Sequence, residues 1–276
     1  MSLFTIDEAK CKKDGICAAE CPIGEIIKFD DEEKVPEPVK EMEYLCINCG
    51  HCVAVCPHSA FIHSNLSPED CLPINKEMVL NKKQTEHFLR SRRSIRAYKD
   101  KEVEKEKLEE LIRLASHAQS GHNMQPVQWQ VVYGKEKVKE MGALVVEWME
   151  VMVKENPEYA KMLSLEDIAG LWKAGTDIIC RNAPALILVN GPAGEFFSDT
   201  ACKIAMSYLE LAIPSFGLGS QWNGFFQNAA TDYKPLQAAL GFPDNFANYG
   251  TILLGYPKYK YYRMPPRNEP RITWTE

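Results

Sequence analysis

The chain has 276 residues, 45% of them hydrophobic and 25% charged, with a net charge of −6. Such a length suits one large domain or two ordinary ones, and the composition excludes a disordered or fibrous chain. The acidic balance argues against a general nucleic-acid binder. With no apolar run near the ~18 residues a membrane span needs, and no basic start followed by an apolar stretch, the expectation is a cytoplasmic protein with no membrane or nucleic-acid partner.

Residues 1–75 hold eight of the ten cysteines, six Lys, no Arg and 14 Asp or Glu, a net of −8; the remainder carries every Arg and a net of +2. A Ser- and Pro-punctuated arm, Ser64 to Pro73, lies at this change. Two domains are therefore expected, at 1–75 and 76–276. In a chain without a secretion signal, clustered cysteines read as metal ligands or redox groups before disulfides.

The first segment repeats itself. A shift of 35 residues lays Cys11 on Cys46, Cys17 on Cys52, Cys21 on Cys56 and Pro22 on Pro57. The second copy, Cys46-x2-Cys49-x2-Cys52-x3-Cys56-Pro57, has the spacing of bacterial iron–sulfur cluster sites. Three thiolates on a tight loop grip three irons of one cubane, and the fourth, before the proline, ligates the other cluster. This assigns Cys46, Cys49, Cys52 and Cys21 to one cluster, and Cys11, Cys17 and Cys56 to the other. Structural zinc prefers two separated cysteine pairs, which this three-then-one spacing does not offer. Where the repeat predicts a cysteine the first copy has Asp14. Either its carboxylate supplies the fourth iron, as a harder and poorer match than thiolate, or that corner is open and the cluster is a three-iron one. A third option is a plain loop aspartate. His51 and His58 flank cluster cysteines and could tune potentials. Cys71 lies outside the repeat and reads as a free thiol.

On these motifs residues 1–63 resemble a bacterial two-cluster (4Fe-4S) ferredoxin domain, built from two pseudo-symmetric halves.

The second domain opens with a helical stretch from residue 77 to Arg90. Ser91-Arg92-Arg93-Ser94-Ile95-Arg96 follows, a cluster suited to cradling an oxyanion, although charge runs are often only solvated surface. Leu108, Leu111, Ile112 and Ala115 recur at helical spacing through about Ala118. The turn Gln119 to Pro126 then contributes Ser120, Gly121, Asn123 and Gln125, whose amides both donate and accept and so suit the edge of a planar heterocycle. A strand is expected over Val127 to Tyr133, another over Ala185 to Val189, a helix from Ser198 to about Phe216, and a last strand over Gly250 to Tyr256. Met141, Met149, Met152 and Met162 read as packing, as do most of Trp129, Trp222, Phe225 and Phe226.

Residues 85–276 resemble the nitroreductase-like, FMN-dependent oxidoreductases, in which an Arg-Ser-x-Arg stretch is followed by a Ser-x-x-Asn-x-Gln-Pro turn. The resemblance implies an α+β fold, with a ferredoxin-type domain in front, that binds FMN at a homodimer interface. It implies that Arg92, Arg93, Ser94 and Arg96 contact the FMN phosphate and ribityl chain. Ser120, Gly121 and Asn123 would approach the flavin from the partner subunit, and Gln125 of the same turn would also bind the cofactor. A backbone amide near Asn223-Gly224 would face the flavin N5, and Arg263 or Arg267 would complete the cradle. The family commonly has proline where this chain has Gln119. His122 is a candidate proton donor, with flavin chemistry carrying the reaction otherwise.

The fusion implies an oxidoreductase that passes electrons from a soluble, ferredoxin-like donor through its clusters to FMN. From FMN they would pass to a small organic acceptor such as a nitro compound, quinone or enone. The acidic domain suits a positively charged redox partner. Two other readings stand beside it: an NAD(P)H-fed flavoenzyme exporting electrons through its clusters, or a non-enzymatic electron carrier or redox sensor. No Gly-x-Gly-x-x-Gly follows a strand to supply a separate nicotinamide site.

Overall fold

A computed structural model of the chain describes residues 2–30 and 33–276. It divides into two compact units, Met1–Val79 with His122–Met124, and Leu80–Gly121 with Gln125–Glu276.

The first unit carries the repeat into its backbone. Strand β1 (Phe4–Ile6), the one-turn helix α1 (Ile16–Ala19) and the short strands β2 (Ile27–Lys28) and β3 (Glu37–Pro38) make up its first part. Helix α2 (His51–Ala54) and strand β4 (Phe61–His63) follow. Left-handed backbone recurs at the 35-residue shift: Lys13 and Asn48 (φ 56° and 51°), Gly15 and Gly50 (70° and 74°), Gly24 and Ser59 (72° and 51°). Glycine meets this demand without steric cost just before each one-turn helix. The turn hydrogen bonds repeat too, Ala19 to Gly15 in one half and Ala54 to Gly50 in the other. β1 pairs antiparallel with β4, Phe4 opposite His63, and β2 with β3. A small core of Phe4, Ile26, Ile27, Val53 and Phe61 closes between them, with the Phe4 and Phe61 rings 4.4 Å apart.

The second unit is an antiparallel four-stranded sheet between helices. Its elements are α3 (Lys82–Ser91), α4 (Lys105–Ala115), β5 (Gln128–Tyr133), α5 (Lys135–Glu155), α6 (Pro157–Met162) and α7 (Leu165–Lys173). β6 (Ala185–Pro192), α8 (Ser198–Ala212), β7 (Gly219–Trp222), α9 (Gly224–Asp232), α10 (Lys234–Leu240) and β8 (Phe246–Gly255) complete it. The strand order is β5-β6-β8-β7. Because side chains alternate along a strand, β6 serves two cores at once. Leu186 and Leu188 pack with Leu253 and with Val145, Met149 and Phe226 of α5 and α9. Ala185, Ile187 and Val189 pack with Ile252 and with Leu108, Leu111, Met206 and Leu209 of α4 and α8. Each fully buried side chain of this kind contributes about 1.5–3 kcal/mol.

Met141 and Met149 are buried as expected, whereas Met162 is 70% exposed at the end of α6. Phe226 is fully buried, but Trp222 is 44% exposed, its indole N–H donating to Gln227. None of the helices among the described residues is long and apolar enough to cross a membrane.

Candidate cofactor sites

Of the seven repeat cysteines, the structure gathers Cys21, Cys46, Cys49 and Cys52 around one cavity, lined also by Phe4, Phe61 and His63. One comes from the first copy and three from the second, the crossed set that the spacing assigns to one cubane. Burial pushes the Cys52 thiol up to about 12, and the nearby Cys49 and Cys21 push the same way. Burial likewise raises Cys17 to about 11, with Cys56 and Cys11 as its sulfur neighbours. The second crossed set therefore also lies together.

Among the described residues no three His, Cys, Asp or Glu side chains close on a single point as a mononuclear ion would require. Soft sulfur donors spread around a cavity instead fit a multi-iron cage, whose iron replaces the thiol protons that burial makes costly to lose.

Asp14 takes a local role. Its Oδ1 accepts from the Ile16 N–H at 3.3 Å, at the start of α1. Its Oδ2 lies 3.9 Å from His58 Nε2, and the side chain is exposed. In the second half, the loop Cys46-Ile47-Asn48-Cys49 is strapped from outside. Asn123 Nδ2 donates to the Asn48 carbonyl at 2.9 Å and to that of Ile47 at 3.4 Å. The turn from Ser120 to Pro126 is thus split: His122, Asn123 and Met124 group with the first unit and the flanking residues with the second.

In the second unit, Ser91, Arg92 and Arg93 line a cavity with Leu218, Gly219 and Tyr261. Arg92 Nη1 and Arg93 Nε are buried there without a hydrogen-bond partner. Unsatisfied buried guanidinium donors are costly, and a bound phosphate removes the cost through charge-assisted hydrogen bonds. Arg92 has one carboxylate nearby, Glu210 at 3.6 Å. Burial raises the Glu210 pKa, and Arg92 offsets only part of that rise. Ser94 forms a parallel bridge with Ser220 of β7, fixing the arginine segment to the sheet through Ile95 N–H and the Ser220 carbonyl at 2.8 Å.

Arg96 is not at this cavity; it lies exposed, and its charge acts on Tyr98 and Arg181. Burial lowers the Arg181 pKa first and Arg96 lowers it further, and Arg181 Nε is also buried without a partner. Arg181 is a basic residue that no sequence motif marked. Arg263 and Arg267 are exposed in the C-terminal segment and do not line the cavity; Tyr261 of that segment does.

Ser120 Oγ accepts from the Gln125 N–H at 2.8 Å, and both line a second cavity with Ala115, Trp129 and Ala205. Gly121 has no room for a side chain, since a Cβ would lie 2.4 Å from Phe197. Asn223 is buried and committed to structure. Its N–H donates to the Thr251 carbonyl at 2.8 Å, its Oδ1 accepts from Phe226 N–H and its Nδ2 donates to Ile179. Gly224, the first residue of α9, keeps a terminal N–H with no partner inside the helix and open space above its α-carbon.

The 4Fe-4S dicluster domain family model matches residues 9–61, and the Nitroreductase family model matches residues 89–256. Over 58 residues the chain is 38% identical to Ferredoxin 7Fe of Hydrogenibacillus schlegelii, covering 21% of this chain and 67% of that protein. Over 186 residues it is 29% identical to Iodotyrosine deiodinase of Thermotoga neapolitana, covering 65% of this chain and 91% of that one. A solved nitroreductase with bound FMN from Bacteroides fragilis is similar in fold, with a TM-score of 0.59 at 22% identity, over 71% of this chain and 100% of that one.

Proposed function

Because this chain belongs to the nitroreductase family and carries a 4Fe-4S dicluster domain ahead of that region, we propose that it is an FMN-dependent oxidoreductase. In this reading electrons enter through its iron–sulfur domain, are delivered by a soluble protein donor, and reduce a small organic acceptor. The observation that carries the reading is the union, in one polypeptide, of crossed cysteine sets and an arginine cradle with orphaned buried donors. When bound, FMN exchanges electrons singly or in pairs, which suits it to join one-electron clusters to two-electron chemistry.

The chain's residues then divide the work. Arg92 and Arg93 neutralise and orient the phosphate. Ser120, Gly121 and Gln125 shape the turn that approaches the flavin across a homodimer, and the Gly224 N–H supplies the backbone donor at N5. Asn223 holds Gly224 in place and is not itself a ligand. Cys21, Cys46, Cys49 and Cys52 hold a 4Fe-4S cluster.

Cys11, Cys17 and Cys56 hold a three-iron cluster in this proposal, with Asp14 accepting from the Ile16 N–H rather than ligating. The engagement of Asp14 with Ile16 and its exposure support this, as does the name of the 7Fe relative.

Protein purified without oxygen tests the reading. We expect about seven irons and one FMN per chain, a three-iron EPR signal when oxidised, and bleaching of both chromophores by a low-potential donor that an organic acceptor reverses. Absence of flavin, or flavin that no donor reduces, contradicts it. A full eight irons without a three-iron signal contradicts the assignment of Asp14.

A further inference from the structure

The two halves of the iron–sulfur unit differ at the position of His63. Strand β4 reads Phe61-Ile62-His63, and its alternation buries Phe61 and His63 while Ile62 is 38% exposed. At the 35-residue shift the first half has Lys28, which turns to solvent and pairs with Asp30. Among the described residues only the second half therefore places a titratable ring inside, 7% exposed, on the wall of the cavity that holds Cys21, Cys46, Cys49 and Cys52.

The tautomer of that ring follows from its neighbours. Its Nδ1 accepts a hydrogen bond from the Asn65 N–H at 3.1 Å. A neutral imidazole that accepts at one nitrogen carries its proton on the other. Nε2 therefore bears the hydrogen, and Nε2 lies 3.5 Å from Cys46 Sγ.

The support behind this bond is continuous. Asn65 Nδ2 donates to Asn48 Oδ1 at 3.0 Å, and Asn123 holds the Asn48 carbonyl. The chain Asn123–Asn48–Asn65–His63 thus fixes the cysteine loop and the ring that faces it.

We infer that His63 is a positioning residue for electron transfer, donating Nε2–H to the Cys46 sulfur and raising the reduction potential of the cluster ligated by Cys21, Cys46, Cys49 and Cys52. The inference rests on Cys46 being a ligand of that cluster, as proposed above. A hydrogen bond to a ligating thiolate stabilises the electron-richer state, because reduction places more negative charge on the sulfurs. The step is the gain of one electron, with no bond made or broken and no proton moved. The other crossed set takes backbone donors instead, Lys13 N–H to Cys11 Sγ and Ala60 N–H to Cys56 Sγ, both at 3.4 Å, while Lys28, the residue equivalent to His63, turns away and pairs with Asp30.

The test uses the full-length, cluster-loaded protein. Each cluster's midpoint is measured by EPR-monitored redox titration in wild type, His63→Leu and His63→Gln. In His63→Leu we expect the Cys46 cluster to become about tenfold harder to reduce, a fall of roughly 59 mV for a one-electron couple. The other cluster should stay where it was. His63→Gln, whose amide can still donate, should recover most of the difference. His63→Leu with wild-type iron content and an unchanged midpoint overturns the inference, as does His63→Gln shifting as far as His63→Leu. Pulsed EPR of reduced wild-type protein labelled with 15N-histidine, in D2O, decides the matter if His63→Leu fails to load. A coupled histidine nitrogen and exchangeable deuteron are expected, and their absence overturns the inference. A wild-type protein without the four-iron signal would instead overturn the underlying assignment of Cys46.

Discussion

Arg93 carries a nitrogen that the folded protein buries and does not pair, an arrangement that costs stability until an anion arrives. Hydrogen bonds to charged groups contribute about 1.5–3 kcal/mol, so Arg93→Ala should weaken FMN binding roughly 10- to 150-fold. Fluorescence titration of apoprotein with FMN measures this, alongside an unchanged circular dichroism spectrum. Unweakened binding would remove Arg93 from the phosphate site. The motif marked Arg92 and Arg93 because charge density is visible in a sequence. It did not separate them from Arg96, Arg263 and Arg267, which lie elsewhere on this chain, because the direction of a side chain depends on the sheet it crosses. Arg181 had no motif at all and reaches Arg96 only through the fold. His63 was legible in principle, as the place where the repeat exchanges an exposed lysine for a buried histidine. The tautomer needed the Asn65 contact, which only the structure supplies.

Elements were legible where their period was clean and less so at their ends. The alternation of β6 is plain in Ala185 to Val189, but the strand runs on to Pro192 because a bulge at Val189–Asn190 lets β8 follow it from Phe246. The helix expected from residue 77 starts at Lys82 instead, where Asn81 and Gln84 form a reciprocal capping box that satisfies terminal N–H groups. The helix expected through Phe216 tightens into a 3-10 turn from Ile213, with Pro214 near its start.

At the N-terminus of α4, Glu104 precedes the first helical residue and accepts from the Tyr256 hydroxyl, with Lys101 and Lys107 beside it. The Tyr256 hydroxyl, then the backbone and the two lysines, hold the Glu104 carboxyl down at about 2. A carboxyl lowered from its ordinary 4.5 adds stability at pH values above that range, and the contribution disappears as pH falls through about 2. Glu104→Gln should therefore flatten the acid limb of the stability profile between pH 4.5 and 2, read as the difference from wild type in denaturant midpoints. An identical pH dependence in the variant would show that the Glu104 contacts are not maintained in solution.

Across the whole molecule, cysteine count and net charge were informative only through their distribution. The acidic, cysteine-rich stretch and the arginine-bearing remainder correspond to the two family matches, residues 9–61 and 89–256. The repeat was readable because cluster ligation constrains spacing so tightly that two halves remain superimposable by counting. The compact units nevertheless do not follow the chain break alone, since His122–Met124 group with the first unit. No local pattern announces that Asn123, from a distant segment, will bond to the Cys46–Cys49 loop. The proposed function makes one strong claim, that the iron–sulfur domain feeds the flavin domain. Rapid mixing tests it most directly, with protein held without oxygen, a reduced one-electron protein donor added, and flavin and cluster absorbance followed separately. The account predicts that flavin reduction follows cluster reduction in wild type, and that Cys46→Ser/Cys49→Ser protein retaining FMN loses this donor-driven flavin reduction at least tenfold. Flavin reduced at the wild-type rate in the variant would contradict it.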